Sequence, residues 1–173
     1  MTSAPNISPD VIEWGRRAGF AFTPEDHSGA ALFWTDPGGE TRLLIRNSAS
    51  RTTVTSADRG EAEVFVFSSP HLGVVEYYLW NFFGTGVRDK LGLPWLRVPT
   101  TVQQLADGFT VDRRTDEFVY LLDGDREEIA QARDGVIGVM YLVVVSHLLG
   151  KSVDSIRQTY ESLDGRPIFP QDN

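Results

Sequence analysis

The sequence predicts an α+β domain whose sheet is mainly antiparallel. Strand-type segments come in two uninterrupted groups, one of four and one of three, instead of alternating with helices as in a parallel α/β fold. Within each group the links are short, and short links favour antiparallel pairing because parallel strands need long crossover connections. Helical segments precede, separate and follow the two groups. The predicted order is therefore α-ββββ-α-βββ-αα.

A short helix is predicted near the N-terminus, over about residues 9–18. Ser8 suits the N-cap and Pro9 the first helical position, and Asp10 lies in the first turn, where the helix dipole favours negative charge. Gly19 can adopt the left-handed conformation that ends a helix.

Four strands rich in β-branched and aromatic residues follow. They are predicted at residues 31–34, 41–46, 51–55 and 63–68. Asp36-Pro37-Gly38-Gly39 forms the turn between the first two, and Asp58-Arg59-Gly60 the turn between the last two, because these residue types favour tight turns. The group is therefore predicted to be an antiparallel meander.

The second half begins with a predicted helix from residue 72 to about 83, closed by Gly84-Thr85-Gly86. The next stretch, residues 87–105, contains Pro94 and Pro99 and is predicted to be a long ordered loop.

Three more strands and two helices complete the predicted fold. The strands are expected at 109–111, 117–122 and 126–131, with Asp123-Gly124 as the last hairpin turn, and a helix at 134–149 ends at Gly150. The final helix has Ser152 as its N-cap and Gly165 as its stop. Its predicted apolar face consists of Val153, Ile156, Tyr160 and Leu163.

Length and charge narrow the class of protein. The 173 residues fit one domain, predicted to span 1–173 with flexible ends at 1–7 and 170–173. Sixteen basic and 24 acidic residues give a net charge of −8, which argues against nucleic-acid and anionic-membrane binding and favours a basic partner. The chain has no cysteine, so disulfides, thiolate metal sites and a cysteine nucleophile are excluded.

The sequence also predicts the cellular location of the protein. The N-terminus has neither a basic start nor an apolar run, so we expect no secretory signal and a cytoplasmic protein. The longest apolar stretch, Val136 to Leu149, is shorter than the roughly 20 residues that span a bilayer.

No catalytic motif stands out. The histidines are His27, His71 and His147, none at a metal-ligand spacing, and His147 is predicted to be satisfied by a carbonyl group. The segment 84–86 lacks the phosphate-loop pattern, and no G-x-S-x-G elbow occurs. The acidic run 123–128 is predicted to be a solvated hairpin tip. We therefore predict no catalytic residue, metal or cofactor. A small-molecule-binding protein or enzyme with a sheet-lined pocket remains the alternative.

Two segments have the composition of a protein interface. The loop from Arg88 to Arg97 combines Trp95 with arginines and a stiffening proline, and tryptophan and arginine are enriched at binding hot spots. The alternative is that Trp95 packs into the protein's own core. The Asp58-Arg59 turn is the second candidate.

Several blocks resemble the TNT-antitoxin family, the immunity factors of the tuberculosis necrotising toxin. They are Trp34 to Ile45, Val54 to Arg59, Glu76 to Arg88 with Leu93-Pro94 and Arg97 downstream, and Val145 to Phe169. Their order and spacing are similar to the family over about residues 11–100 and 145–169.

The resemblance implies a non-enzymatic inhibitor in the cytosol. Such a protein binds an NAD-glycohydrolase toxin domain and occludes its NAD-binding cleft, and we expect a monomer that forms a one-to-one complex. A basic cleft on the toxin fits the charge of −8. An export chaperone that binds the toxin away from its active site is a further alternative.

The predicted contact residues come from both segments. They are Arg88, Asp89, Lys90, Pro94, Trp95 and Arg97 in the loop, and Ser56, Asp58 and Arg59 in the turn. Arg88 and Arg97 match family positions, whereas Trp95 is chosen from side-chain chemistry. The alternative for the arginines is that they only brace the loop from inside.

Overall fold

The computed structural model describes residues 2–35 and 40–169. Its elements are α1 (Pro9–Arg17), β1 (Ala21–Thr23), β2 (Ala31–Thr35), β3 (Thr41–Asn47), β4 (Thr52–Asp58), β5 (Val64–Ser69), α2 (Leu72–Lys90), a 3₁₀ turn (Val102–Gln104), β6 (Thr110–Asp112), β7 (Phe118–Leu122), β8 (Glu128–Arg133), α3 (Val136–Leu148) and α4 (Val153–Glu161). The predicted α+β class and element order are confirmed, with one additional strand.

A single eight-stranded antiparallel sheet is formed by the strands described. Its order is β1-β2-β3-β4-β5-β8-β7-β6. The first five strands follow one another as the predicted meander, and the last three fold back so that β8 pairs with β5. Helix α2 connects the two groups and packs against β4 and β5, whereas β7 and β8 pack against α3.

The core lies between the sheet and the helices. One row of directly paired, fully buried residues crosses six strands: Ala31, Ile45, Val54, Phe67, Ala132 and Val119. Phe67 stacks on Tyr78 of α2 with 4.7 Å between ring centroids, and Phe33 of β2 meets Phe83 of α2 at 4.9 Å. Burial of such large apolar side chains, about 1.5–3 kcal/mol each, holds the two layers together.

Strand β1 was absent from the prediction. It has three residues, which is too short for an alternating pattern to show, and it pairs only with β2 at the edge of the sheet. Its position follows from tertiary contacts: Phe22 packs on Phe33 at 4.7 Å between ring centroids.

Helix α1 has the predicted limits but a different capping interaction. Ser8 occupies the N-cap, yet its hydroxyl caps no main-chain group. Instead its main-chain N–H donates to the Glu76 carboxylate of α2 at 2.6 Å. Gly19 ends the helix in the predicted left-handed conformation, with φ of +96°.

The predicted end of α2 is wrong, since the helix continues through Gly84 and Gly86 to Lys90. Neither glycine is a terminator. A β-carbon at Gly84 would overlap the Tyr160 ring, and one at Gly86 would crowd Ala18. The glycines are therefore close-contact points for α4 and α1, and helix packing outweighs their low helix propensity.

The C-terminal half follows the prediction with local differences. Ser152 caps α4 by accepting from the Ser155 N–H at 3.2 Å, and His147 Nε2 is bonded to the Gln104 carbonyl at 2.7 Å, as predicted. Leu163 was wrongly assigned to the apolar face of the last helix: α4 ends at Glu161, and Leu163 is 72% exposed.

Two boundaries shift because of local turn geometry. Helix α3 begins at Val136 rather than 134, since Gly135 has φ of +136°. The β7–β8 hairpin needs a longer turn than Asp123-Gly124, and the Asp123 carboxylate accepts from the N–H groups of Asp125 and Glu127. The acidic hairpin tip is thus where it was predicted.

The described part of the N-terminal segment, predicted to be flexible, is held at two points. Ser3 exchanges main-chain hydrogen bonds with Asn47, at 3.0 and 2.7 Å, and Ile7 is 3% exposed in the core. The predicted turn at 36–39 and flexible end at 170–173 lie outside the described residues.

Candidate functional site

A cleft of about 360 Å³ lies where the C-terminal part of α2, the following loop and α4 meet. Asn81, Thr85 and Asp89 give it polar groups, and the loop residues Leu93, Pro94, Leu96 and Val98 give it apolar walls. The predicted contact loop therefore borders the cleft. The small-molecule alternative assumed a pocket lined by the sheet, whereas the described residues that line this cleft belong to no strand.

The loop begins where α2 ends, at a Schellman motif. The Leu93 N–H donates to the Arg88 carbonyl and the Gly92 N–H to the Asp89 carbonyl, both at 3.0 Å, while Gly92 has φ of +66°. Gly92 is thus the true stop signal of α2. Lys90 in the last turn, Gly92 after it and Pro94 beyond form a pattern that the sequence already displays.

Trp95 is the most exposed large apolar residue of the part of the chain that is described. It is 90% exposed and stands at the edge of the cleft. The alternative that Trp95 packs into the core is therefore wrong. Asp89, Lys90, Pro94 and Arg97 are also exposed, so these predicted contact residues can all reach a partner.

Arg88 differs from its neighbours because it is buried, with 3% exposure. Its guanidinium donates to the Pro94 carbonyl through Nε at 3.1 Å and Nη2 at 2.7 Å, and through Nη1 to the carbonyls of Tyr160 and Ser162 at 2.8 and 2.5 Å. Its burial is at odds with the predicted direct contact. Arg88 clamps the loop onto α4, which corresponds to the bracing alternative.

The pKa shifts at the cleft have a structural cause. Burial lowers the pKa of the Arg88 guanidinium and raises the pKa of the Tyr160 hydroxyl, in each case because the charged form loses its hydration. The Tyr160 hydroxyl donates to Asn81 Oδ1 at 2.9 Å. Both groups are engaged in hydrogen bonds that position the walls of the cleft.

The second predicted segment lies at the end of β4. Ser56 is half-buried within the strand, whereas Asp58 and Arg59 are exposed, and Arg59 has φ of +31°. The Arg59 guanidinium pairs with the carboxylate of Glu40. Residues 91–99, which follow α2, are called the 91–99 loop. Over residues 2–35 and 40–169, no hydrogen bond or ion pair joins the Ser56–Arg59 turn to this loop.

Among residues 2–35 and 40–169, no group of three or more histidines, aspartates or glutamates is placed to hold a metal ion. Likewise, the described helices include none with the length and apolar character needed to cross a membrane.

Comparison with known proteins identifies the family. Residues 14–168 match the model of the family described as Immunity protein 61, Imm61. The chain belongs to the Imm61 family. The match includes the cleft, the 91–99 loop and the Ser56–Arg59 turn of this Imm61 protein.

Curated relatives and a solved structure agree with this assignment. The Imm61 chain is 28% identical over 174 residues to the "Immunity factor for TNT" of Mycobacterium tuberculosis (strain H37Rv) and to the "Immunity factor for TNT homolog" of Mycobacterium bovis (strain BCG / Pasteur 1173P2), covering 98% of this chain and 96% of each relative. The structure of Rv3902c from M. tuberculosis superimposes with a TM-score of 0.85 at 28% identity, covering 95% of this chain and 94% of that one. The chain is thus an immunity protein, an antitoxin whose partner is a toxin.

Proposed function

We propose that this immunity protein binds an NAD-hydrolysing toxin domain in the cytoplasm, in a one-to-one complex, and occludes its NAD-binding cleft. It acts without catalysis of its own. The relatives named as immunity factors for TNT support the toxin class. A cleft that holds the two phosphates of NAD is expected to be basic, and the net charge of −8 matches it.

The observation that carries the proposal is the exposure of Trp95 on a clamped loop. A 90% exposed indole leaves a large apolar surface in water, which is a feature of interaction sites. Because Arg88 fixes the loop from inside, little conformational entropy is lost when the loop docks.

The proposed contact surface combines both predicted segments with one reassignment. Asp89, Lys90, Pro94, Trp95 and Arg97 form its centre, and Ser56, Asp58 and Arg59 form a separate secondary contact. Arg88 positions the loop.

The test is NAD hydrolysis by the cognate toxin domain, preferably one encoded alongside this chain, measured with increasing amounts of the immunity protein. We expect turnover to fall in proportion to the protein added and to vanish at an equimolar ratio. Binding with undiminished turnover would support the export-chaperone alternative, because a chaperone can bind away from the active site. Absence of binding would reject the antitoxin role for that toxin and would call for ligand screening of the cleft.

A further inference from the structure

The cleft beside Trp95 contains one charged group that has no counterpart within the described residues. Asp89 is exposed and lines the cleft, and in residues 2–35 and 40–169 its carboxylate takes part in no hydrogen bond or ion pair. Glu161 of the neighbouring α4 differs in this respect, because it pairs with Arg17 at 2.5 Å.

The donors of the adjacent Arg88 guanidinium are already engaged by main-chain carbonyls. Two of its acceptors, the carbonyls of Tyr160 and Ser162, belong to the C-terminal end of α4. The end of a helix dipole carries about half a negative charge, so the guanidinium neutralises that end. The Pro94 carbonyl takes two further donors of Arg88. An anion entering the cleft would find these donors occupied.

The Asp89 carboxylate is therefore the charged group of the cleft lining that is free to pair with a cation. Asp89 lies in the last turn of α2, where the dipole of that helix adds to its charge. Lys90 does not pair with it, because the Lys90 side chain lies against Gly19 at the end of α1, and the exposed Arg97 is not part of the cleft lining. A carboxylate next to an exposed indole and aliphatic walls is suited to a side chain with an apolar stem and a cationic end.

We propose that this cleft receives an arginine side chain of the toxin. Its guanidinium stacks on the Trp95 indole and pairs with the Asp89 carboxylate, while its aliphatic stem packs against Leu93 and Leu96. Arginine fits better than lysine because its planar, weakly hydrated head stacks on aromatic rings. This inference rests on the proposed function and adds the chemistry of the central contact.

The experiment measures the dissociation constant of the complex between the cognate toxin domain and this chain. The chain is used as wild type, Trp95→Ala, Asp89→Asn and the double variant. We expect about thirtyfold weaker binding for Trp95→Ala and about tenfold for Asp89→Asn. If one guanidinium touches both residues, the double variant loses less than the product of the two effects, since side chains that share a partner are energetically coupled.

Two further variants make the result specific. Asp116→Asn removes an equal charge from the exposed β6–β7 loop and should change affinity less than twofold. Asp89→Lys should weaken binding more than Asp89→Asn, because it places a second cation beside the guanidinium. Unchanged melting temperatures would show that all variants are folded, as their exposed positions predict.

The outcomes separate the inference from the function on which it rests. Three results would each overturn the arginine contact while leaving the antitoxin role intact. The effects of Trp95→Ala and Asp89→Asn could simply multiply, or Asp89→Asn could have no larger effect than Asp116→Asn. The third such result is tight binding by Asp89→Lys. A wild-type chain that does not bind the toxin domain would overturn both.

Discussion

Arg88 joins three parts of the chain that are distant in sequence. It lies in the last turn of α2, and its donors reach the loop at Pro94 and the end of α4 at Tyr160 and Ser162. Its long side chain is buried together with its charge, which is favourable only because main-chain carbonyls replace the lost water. The position of Trp95 thus depends on a residue that is itself buried.

Replacement of Arg88 by methionine should destabilise the fold. The change keeps an apolar stem but leaves the carbonyls of Pro94, Tyr160 and Ser162 without their donor, at about 1–3 kcal/mol for each buried acceptor. We expect the free energy of unfolding to fall by about 3 kcal/mol, measured by urea denaturation. The exposed Arg97→Met variant is the matched control and should change it by less than about 0.5 kcal/mol. Equal stability of the two variants would contradict the clamp.

Glu63 makes the stability of the fold sensitive to acid. Its hydrogen bonds with Arg46, at 2.6 and 3.0 Å, hold the pKa of the Glu63 carboxyl below its usual value, Thr55 acts in the same direction, and burial opposes both. A carboxyl whose pKa is lower in the folded state stabilises the fold above its unfolded pKa of about 4.3, and this contribution disappears as the pH falls through the folded value.

We therefore expect the free energy of unfolding of Glu63→Gln to depend less on pH in the acidic range than that of wild type. Wild type should lose stability faster than the variant as the pH falls below about 4.3. The free energy of unfolding, determined by denaturant titration at several pH values from neutrality downwards, measures the difference. Parallel curves for the two proteins would mean that the Arg46 pair contributes nothing to acid sensitivity.

At the scale of the element, α2 organises both the core and the cleft. Its first half packs under the sheet through Tyr78, and its second half contacts α4 at Gly84 and α1 at Gly86. Two helices can approach this closely only because neither position has a β-carbon. The same close approach brings the Tyr160 carbonyl within reach of Arg88 and so builds the wall of the cleft.

Two glycine substitutions in α2 should have opposite effects. Gly84→Ala places a methyl group into the Tyr160 ring and should cost about 1–3 kcal/mol of unfolding free energy, despite the better helix propensity of alanine. Gly73→Ala lies where a β-carbon meets no atom within 4 Å and should stabilise by up to about 1 kcal/mol. Thermal or chemical unfolding compares them, and a stabilising Gly84→Ala would refute the role assigned to that position.

At the scale of the whole molecule, charge and apolar surface have different roles. We expect the net charge of −8 to act over a Debye length and steer encounter, and the Trp95 region to contribute to the lifetime of the complex after contact. The two contributions can be separated kinetically, because steering changes the association rate and desolvated contacts change the dissociation rate.

Added salt should therefore slow association with the toxin domain much more than it speeds dissociation. Between low and high ionic strength we expect the association rate constant to fall by about tenfold or more. Stopped-flow or surface-based kinetics measures both constants. An association rate that does not respond to salt would mean that the charge of this chain has no part in finding its partner.

Local sequence patterns were sufficient to predict the fold class and the family of this protein. Composition, turn residues and the separation of strands from helices predicted the α+β class and the meander, and the blocks ending at Arg59, Arg97 and Phe169 predicted the family. The cap at Ser152 and the carbonyl partner of His147 were also predictable, because each depends on a residue type in a local context.

Only the tertiary structure decided what Gly84, Gly86 and Arg88 do. A glycine pair predicts a helix stop from local propensity alone, but here contacts with α4 and α1 outweigh that preference. Arginine is usually a surface residue, yet the carbonyls at the end of α4 give Arg88 a buried site some 70 residues away in sequence. Because such partners meet only when the helices pack, the sequence could name a candidate contact loop but not show which of its residues are exposed and which hold the loop in place.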